Sequence, residues 1–356
     1  MKAVAVQSGE TRPTILDVPK PTPESGEALV RTLRVGIDGT DHEVIRGGHG
    51  GYPEGADYQI LGHEAIGVVV DPMATEFEEG DLVVPTVRRP PASGTNDYFE
   101  RGEPDMAPAG EYVERGIAGA HGYMSEFFTS PAELLVGVPD SFAEYGFLIE
   151  PISNSEKAIE HALASRSAFE WSPESALVLG NGPLGLLTLA MLTSGSRFER
   201  TYCLGRRDRP DPTIDIIERL GATYIDSRET PVPEVPDAHE PMDFVYEATG
   251  YAKHAFQTVD ALAPNGVGAL LGIPDDWTFE IEGGEWHTNF VLENKALVGS
   301  VNSNVSQFEA AKESLAAFPD WFVEALVTDV YTPGNVEQAF ETDNSVIKAV
   351  VEFDSL

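Results

Sequence analysis

ALVLGNGPLG, residues 176–185, decides the fold of this chain. Four apolar residues predict a short strand, glycines follow at the spacing G-x-G-x-x-G, and the next apolar run predicts a helix. In that context Gly180 permits a tight turn, Gly182 lets the backbone approach a pyrophosphate, and Gly185 lets the helix pack on the strand. The run therefore predicts a dinucleotide site, with the phosphates held by Gly180, Asn181, Gly182, Pro183, Leu184 and Gly185.

The residues that follow alternate short apolar strands with helical stretches. This alternation is typical of a parallel, doubly wound sheet, so the expected fold class is α/β. Asp211 and Pro212 can start a helix that Gly221 ends, and a helix at 252–262 should stop at the turn sequence 263–266. Strands are predicted at 201–204, 223–225, 243–246, 267–271 and 296–298, within a dinucleotide-binding domain at 151–310.

The end of the second predicted strand carries arginines instead of an acidic residue. A site for NAD places a carboxylate there, on the ribose hydroxyls, whereas the charged fork of arginine fits a phosphate. Arg206 and Arg207 therefore favour NADP. A solvated basic turn is the alternative, and Asp208, which follows directly, leaves some use of NAD open.

The chain is strongly acidic, because it has 59 acidic residues and only 23 basic ones, and its net charge is -36. The carboxylates are scattered, and hydrophobic residues make up 42% of the chain, enough for packed cores. Concentrated salt screens such self-repulsion, so the composition indicates a halophilic intracellular protein, with an ordinary acidic cytosolic enzyme as the alternative. Either interpretation argues against nucleic acid and anionic membranes as partners.

Cys203 is the single cysteine, and its apolar neighbours predict a buried position. One cysteine excludes an intrachain disulfide and a cysteine-rich zinc cluster, which fits a reducing cytoplasm. The first residues predict a strand rather than a signal peptide, and no apolar run approaches the length of a membrane span. Residues 86–115, with Arg88 and Arg89 before two prolines, predict an irregular surface lobe.

Two further motifs precede the dinucleotide site, VGIDGTD at 35–41 and LGHEAIG at 61–67. Together with the mid-chain glycine motif they resemble the zinc-dependent medium-chain dehydrogenase/reductase family over essentially the whole chain. The resemblance implies a β-rich GroES-like catalytic domain at 1–150, a Rossmann domain at 151–310 and a return segment at 311–356 that completes the catalytic domain. The sequences EPI at 150–152 and GSVN at 299–302 look like the archaeal glucose dehydrogenase branch.

The same resemblance implies one catalytic zinc ion. Asp38 stands where the family usually has cysteine, His63 is the second ligand and Glu150 completes the site, while Glu64 can exchange onto the metal. Zinc accepts carboxylate oxygen as well as sulfur and nitrogen, so aspartate for cysteine is chemically sound. Without the family, His63 would more often be a core histidine, Asp38 a turn residue and Glu150 a helix-cap acid. No structural zinc is expected, because the lobe at 86–115 lacks cysteine.

Catalytic and binding roles also come from the resemblance. In relatives a Ser or Thr two residues after the first ligand contacts the substrate oxygen and starts a proton relay, which implies this role for Thr40. The implied base is Glu64 or Glu150, with His42 and His49 as alternative shuttles. Sugar-binding residues are implied at Thr40, Glu114, Glu150, Asn154 and Asn302, although Glu114 could equally be a surface acid of the lobe. Further cofactor contacts are expected after strand ends, at Gly272, Ile273, Val301, Asn302 and Ser303.

These implications combine into one functional expectation. The chain would be an NADP-preferring, zinc-dependent glucose 1-dehydrogenase that oxidises the anomeric carbon of an aldose to its lactone. The alternatives are another polyol or alcohol dehydrogenase of the same family and a non-catalytic NADPH-binding protein. A sugar is the expected small-molecule partner, and the family implies a homodimer or homotetramer.

Overall fold

The chain forms two compact units in the computed structural model, which describes residues 1–195, 197–341 and 345–356. The first unit comprises Met1–Ser153, Asn302–Ala316 and Val323–Leu356, and the second comprises Asn154–Val301 and Ala317–Phe322. The domains expected at 1–150, 151–310 and 311–356 have different bounds and stay predictions. Each unit contains a cluster of buried apolar side chains of its own.

Strands and helices lie along the whole chain. The strands are β1 (Lys2–Gln7), β2 (Thr14–Asp17), β3 (Glu27–Gly36), β4 (Tyr58–Ile60), β5 (Glu64–Asp71), β6 (Leu82–Pro85), β7 (Arg88–Arg89), β8 (Val113–Arg115), β9 (Gly119–Ala120), β10 (Phe127–Pro131), β11 (Leu135–Val138), β12 (Ser175–Leu179), β13 (Arg200–Gly205), β14 (Thr223–Asp226), β15 (Met242–Glu247), β16 (Leu262–Leu270), β17 (Ala296–Gly299), β18 (Val327–Tyr331) and β19 (Lys348–Glu352). The α-helices are α1 (Gly39–Arg46), α2 (Asp97–Glu100), α3 (Ile149–Ala164), α4 (Pro183–Ser194), α5 (Pro212–Arg219), α6 (Val235–Ala238), α7 (Ala252–Ala261), α8 (Gly283–Leu292), α9 (Val305–Ala317), α10 (Asp320–Leu326) and α11 (Val336–Ala339). Short 3₁₀ helices lie at Pro104–Met106, Ala132–Leu134, Asp140–Phe142, Gly146–Leu148, Val232–Glu234 and Pro333–Asn335.

The sheet of the second unit confirms the doubly wound α/β fold. Its strands lie in the order β14-β13-β12-β15-β16-β17, and every neighbouring pair is parallel. The chain order reverses direction between β12 and β15, which is the switch point of such sheets. The strands expected at 201–204, 223–225, 243–246 and 296–298 lie inside β13, β14, β15 and β17.

The prediction that residues 263–266 form a turn between a helix and the next strand is wrong. Helix α7 ends at Ala261 and β16 begins directly at Leu262, earlier than the strand expected at 267–271. The register of β16 against β15 shifts across the turn residues. Asn265 adopts a left-handed conformation with a φ of 66°. The turn sequence therefore makes an irregularity inside a strand instead of separating a helix from it.

The first unit is β-rich, as the family resemblance implies. Its main sheet has the order β11-β6-β5-β3-β19-β18 with β10 paired to β3, and two small sheets have the orders β2-β1-β4 and β7-β8-β9. Its core contains β-branched residues that suit strands, among them Val4, Val30 and Val69. In the antiparallel ladder of β3 and β5, Gly36 lies opposite Glu64. This register brings the two sequence motifs at 35–41 and 61–67 together.

Most residues at 91–112 are exposed or half-buried, as expected for a surface lobe, but Arg88 and Arg89 are buried. Arg88 Nε donates to Glu114 Oε1 at 3.1 Å, and the guanidinium lies over the Tyr112 ring at 3.6 Å. The other acceptors of the two guanidinium groups are oxygens of Thr86, Arg88, Pro104, Asp105, Ala107, Tyr123 and Ser130. A buried guanidinium needs acceptors for most of its donors, and among the buried atoms of the described residues only Arg89 Nε of these two groups lacks one. These arginines therefore tie the segments of the lobe together without cysteine.

Cys203 is buried in β13, as its neighbours predict, and burial raises the pKa of its thiol to about 12. The expected start of helix α5 is confirmed as well, because the Asp211 carboxylate accepts from Thr213 N at 2.9 Å. Within the described parts of the chain, no helix combines the length and the apolar composition that a membrane crossing requires.

Candidate active site

The loop between β3 and α1 holds Asp38 in a fixed orientation. Asp38 is the N-cap residue of α1, and its Oδ1 accepts from Asp41 N at 3.0 Å while Asp41 Oδ2 accepts from Asp38 N at 3.2 Å. This capping box satisfies two backbone donors and places a carboxylate at the positive end of the helix. Thr40 Oγ1 donates to Asp38 Oδ2 at 3.1 Å, which orients the second oxygen. The residue that caps the start of α1 therefore also offers a carboxylate that can bind a metal ion.

His63 directly precedes β5 and is buried beside these carboxylates. Its Nε2 lies 3.6 Å from Asp38 Oδ2, and its Nδ1 lies 4.0 Å from Asp41 Oδ1. Burial alone would lower the pKa of His63, but the neighbouring carboxylates, Asp38 first, outweigh it and raise that pKa well above its usual value. Among the described residues, His63 Nδ1 is buried without a hydrogen-bond partner. An imidazole ring among several carboxylates is well placed to bind a cation.

Donor atoms converge on His63 from two sides. Those of His63, Glu64 and Glu150 all lie within 4.8 Å of one another, and the same holds for His63, Asp38 and Asp41. One imidazole nitrogen with several carboxylate oxygens is a donor set that zinc accepts, so the residues present fit this ion. The residues expected as ligands therefore lie around His63. Asp41 was not expected, because its capping role gave no sign of a second function.

Lys348 is a site residue that sequence reasoning missed. It is 1% exposed, begins β19 and forms a buried ion pair with Glu64. Burial raises the pKa of Glu64, and the charge of Lys348 acts in the opposite direction. Gly36 leaves room for the pair, because a Cβ at this position would collide with Glu64 Oε2. No local motif surrounds Lys348, so only the pairing of β19 with β3 could have located it.

Glu114 is buried in β8 rather than exposed on the surface of the lobe. Its Oε1 accepts from Arg88 Nε at 3.1 Å and from Asn302 Nδ2 at 3.4 Å. Asn302 adopts a left-handed conformation with a φ of 56°, and its amide oxygen accepts from Ser303 N at 2.9 Å. Asparagine tolerates this conformation better than most residues. Two residues expected to bind the substrate are therefore hydrogen-bonded to each other, and Arg88 holds Glu114.

The glycine motif of the second unit forms the expected strand, turn and helix. Gly180 follows β12 with a φ of 113°, and a Cβ at Gly185 would collide with the Gly180 carbonyl oxygen. Gly182 is the N-cap residue of α4, with open space where a Cβ would stand. The backbone N–H groups at a helix start attract an anion. This turn therefore suits a diphosphate.

The remaining expected residues are placed unit by unit. In the second unit, Asn181 Nδ2 donates to Thr213 Oγ1 at 2.6 Å. Also in this unit, the exposed residues are Arg206, Ile273 and Val301, and the half-buried ones are Asn154, Pro183, Leu184, Arg207 and Gly272. In the first unit, Asn302 and Ser303 are buried, and Ser303 shares a hydrogen bond with Ser153 at 2.5 Å. These two residues therefore belong to the unit that carries His63.

Two family profiles match the sequence. Residues 24–140 match the alcohol dehydrogenase GroES-like domain, and residues 143–353 match the glucose dehydrogenase C-terminus. The second match alone spans more than half of the chain.

Individual proteins match over the full length. Glucose 1-dehydrogenase of Haloferax mediterranei is 68% identical over 357 residues, and glucose 1-dehydrogenase 1 of Haloterrigena turkmenica is 62% identical over 365 residues; each alignment covers 100% of both chains. A solved structure, glucose dehydrogenase of Haloferax mediterranei in complex with NADP, Zn and gluconolactone, is similar with a TM-score of 0.99, at 68% identity and 100% coverage of both chains.

Proposed function

This chain belongs to the glucose dehydrogenase branch of the zinc-dependent medium-chain dehydrogenase/reductase family, and from that premise we propose that it is an NADP-preferring, zinc-dependent glucose 1-dehydrogenase. D-glucose loses a hydride from its anomeric carbon and a proton from its anomeric hydroxyl, which leaves the 1,5-lactone. NADP, when bound, accepts the hydride. The observation that carries the proposal is the buried donor group around His63, in a chain that resembles glucose 1-dehydrogenases over its full length.

The donor group around His63 is where we assign the zinc ion. Asp38, His63 and Glu150 are its proposed ligands, and Glu64 can exchange onto it. Zinc acts as a Lewis acid that lowers the pKa of the substrate hydroxyl. The charge of Glu64 is already compensated by Lys348, which supports Glu150 as the persistent ligand.

Thr40 is assigned the first contact with the reacting hydroxyl. It donates its own proton to Asp38 Oδ2 at 3.1 Å, so the oxygen lone pairs of Thr40 remain to accept a hydrogen bond from a sugar hydroxyl. Glu64 and Glu150 are buried carboxylates that can accept the released proton. His42, whose ring lies 5.3 Å from the Phe340 ring, and the exposed His49 are the alternative shuttles.

The sugar hydroxyls are assigned to Glu114, Glu150, Asn154 and Asn302 together with Thr40. A polyol loses many hydrogen bonds to water when it is buried, so the site must replace them. The hydrogen bond from Arg88 orients the Glu114 carboxylate in its buried position. That arrangement supports Glu114 as a hydrogen-bond acceptor for a hydroxyl.

Replacement of Asn302 by glycine is expected to raise the Michaelis constant for glucose by on the order of tenfold and to leave the zinc content unchanged. Glycine keeps the left-handed backbone without strain, so only the amide is lost. The matched control is Asn265→Gly, at a second left-handed asparagine, in β16. Steady-state kinetics and metal analysis of both variants provide the test. A normal Michaelis constant in Asn302→Gly would contradict the assignment.

Neutralising Arg206 and Arg207 together is expected to weaken NADP binding far more than NAD binding. Each charge-assisted contact with a phosphate contributes about 1 to 3 kcal/mol, and only NADP carries the ribose phosphate. Fluorescence titration of Arg206→Gln/Arg207→Gln with NADPH and NADH measures both affinities. An equal loss for the two cofactors would mean that the arginines have a structural role only.

The proposed activity itself is tested by rates and metal content. In concentrated KCl, which a net charge of -36 calls for, the protein should oxidise glucose with NADP faster than sorbitol, threonine or ethanol and contain stoichiometric zinc. Galactose and xylose define the range of aldoses. Faster oxidation of simple alcohols would favour a general alcohol dehydrogenase, and NADPH binding without turnover would favour a non-catalytic binding protein.

A homodimer or homotetramer in the cytoplasm is part of the same proposal. In the described residues β17 lies at one edge of its sheet, and an edge strand can pair with another chain. The single cysteine is compatible with a reducing compartment. Light scattering after gel filtration in KCl measures the mass, and a monomer would contradict the assembly.

A further inference from the structure

Arg228 bridges two carboxylates in the second unit. Its Nη2 donates to Asp208 Oδ1 at 2.8 Å and to Asp226 Oδ2 at 2.5 Å. Its Nε donates to Asp226 Oδ1 at 2.9 Å, and so does its backbone N at 2.9 Å. One guanidinium therefore covers both oxygens of Asp226 and one oxygen of Asp208. These hydrogen bonds lower the pKa of both carboxyls, that of Asp226 to about 2, so both stay anionic.

The bridge lies beside the arginines assigned to the ribose phosphate. Gly205, the last residue of β13, pairs with Asp226, the last residue of β14. Arg206 and Arg207 follow Gly205 directly, and the charge of Arg206 acts on Asp226. Tyr224 holds the loop in place, because its hydroxyl accepts from Arg207 N at 2.8 Å and donates to the Arg207 carbonyl oxygen at 3.1 Å. A phosphate held by these arginines would therefore stand close to two carboxylates.

Stability does not explain the Asp208 arm of the bridge. The side chains of Arg228 and Asp208 are 38% and 84% exposed, and exposed ion pairs contribute little to stability. Without the bridge, however, both carboxylates would repel a phosphate, and Asp226 would compete with it for Arg206. Arg228 should therefore affect the affinity of the site for the phosphate.

We propose that Arg228 is a positioning residue for cofactor selection, which holds Asp208 and Asp226 so that Arg206 stays available for the ribose phosphate of NADP. The inference rests on the NADP preference proposed above. It adds a residue that contacts no cofactor and acts through its neighbours.

Arg228→Gln is expected to weaken NADPH binding by about three- to fivefold and to change NADH binding by less than about twofold. The matched control is Arg200→Gln, at the other end of β13, because Arg200 bridges Glu174 and Glu240 and is similarly exposed, at 42%. Both affinities are measured by fluorescence titration of the full-length protein, at the lowest KCl concentration at which circular dichroism shows every variant folded. The control should leave the ratio of the two affinities unchanged.

Two further measurements separate an electrostatic role from a structural one. Arg228→Gln/Asp226→Asn should restore most of the wild-type ratio, because the carboxylate that competes for Arg206 is gone and only the exposed Asp208 still repels the phosphate. The selective effect should also shrink as KCl rises, since the Debye length is only about 3 Å at 1 M salt. Retained NADPH selectivity in Arg228→Gln, or no recovery in the double variant, would overturn this inference alone. A wild-type protein without NADPH preference would overturn the proposed cofactor and this inference with it.

Discussion

His63→Ala is expected to abolish glucose oxidation, with turnover reduced by on the order of a thousandfold or more, while NADPH still binds. The substitution removes the only nitrogen donor from the group of His63, Glu64 and Glu150, and the remaining carboxylates hold zinc less well. Loss of the Lewis acid raises the activation free energy of glucose oxidation by several kcal/mol, and each 1.4 kcal/mol lowers the rate by about a factor of ten. The glycine motif lies in the other unit, so its geometry should be unchanged.

Metal analysis, turnover and NADPH titration of the same preparation test this prediction. The matched control is His287→Ala, at an exposed histidine of α8, which should keep its zinc and its activity. Full activity of the wild-type protein after removal of zinc by a chelator would contradict the assignment of a catalytic zinc ion. Loss of NADPH binding in His63→Ala would show instead that the substitution disturbs more than the metal site.

The fold of the second unit could be predicted because its determinants are local. Gly180 must have a positive φ and Gly185 must have no side chain, so a run of ten residues defines the strand, the turn and the helix. The error at 263–266 has the same origin. Asn265 and its neighbours have turn chemistry, but a turn and a bulge require the same conformations, and only the pairing with β15 distinguishes them.

The candidate site was predictable only where the family motif marked it. Asp38 and His63 lie in short motifs, whereas Lys348 and Arg88 are charged residues outside those motifs that a single sequence would place on the surface. Their burial depends on partners far away in the chain, Glu64 for Lys348 and Glu114 for Arg88. A buried charge requires such a partner, and strand register, not local composition, provides it. Long-range ion pairs are therefore the part of this site that sequence reasoning misses.

Lys348→Met is expected to lower the free energy of unfolding by about 3 to 5 kcal/mol, because it leaves the Glu64 carboxylate buried without its counter-charge. Methionine has a similar length and fills the space, so packing is largely kept. Urea unfolding followed by circular dichroism, at one KCl concentration and with zinc removed by a chelator, gives the difference. Lys2→Met is the matched control, since the pair of Lys2 and Asp17 is exposed and its loss should cost less than about 1 kcal/mol.

The double variant Lys348→Met/Glu64→Gln tests the cause of that loss. It removes both charges, so most of the stability should return. The loss in Lys348→Met should also grow as the pH rises. Burial raises the pKa of Glu64 and the charge of Lys348 opposes that rise, so the pKa of folded Glu64 is higher still in Lys348→Met. Between the unfolded and the folded pKa, the folded variant holds a proton that the unfolded chain has released, and its stability falls as the pH increases. A pH-independent loss that the second substitution does not relieve would mean that Lys348 acts by packing rather than by charge.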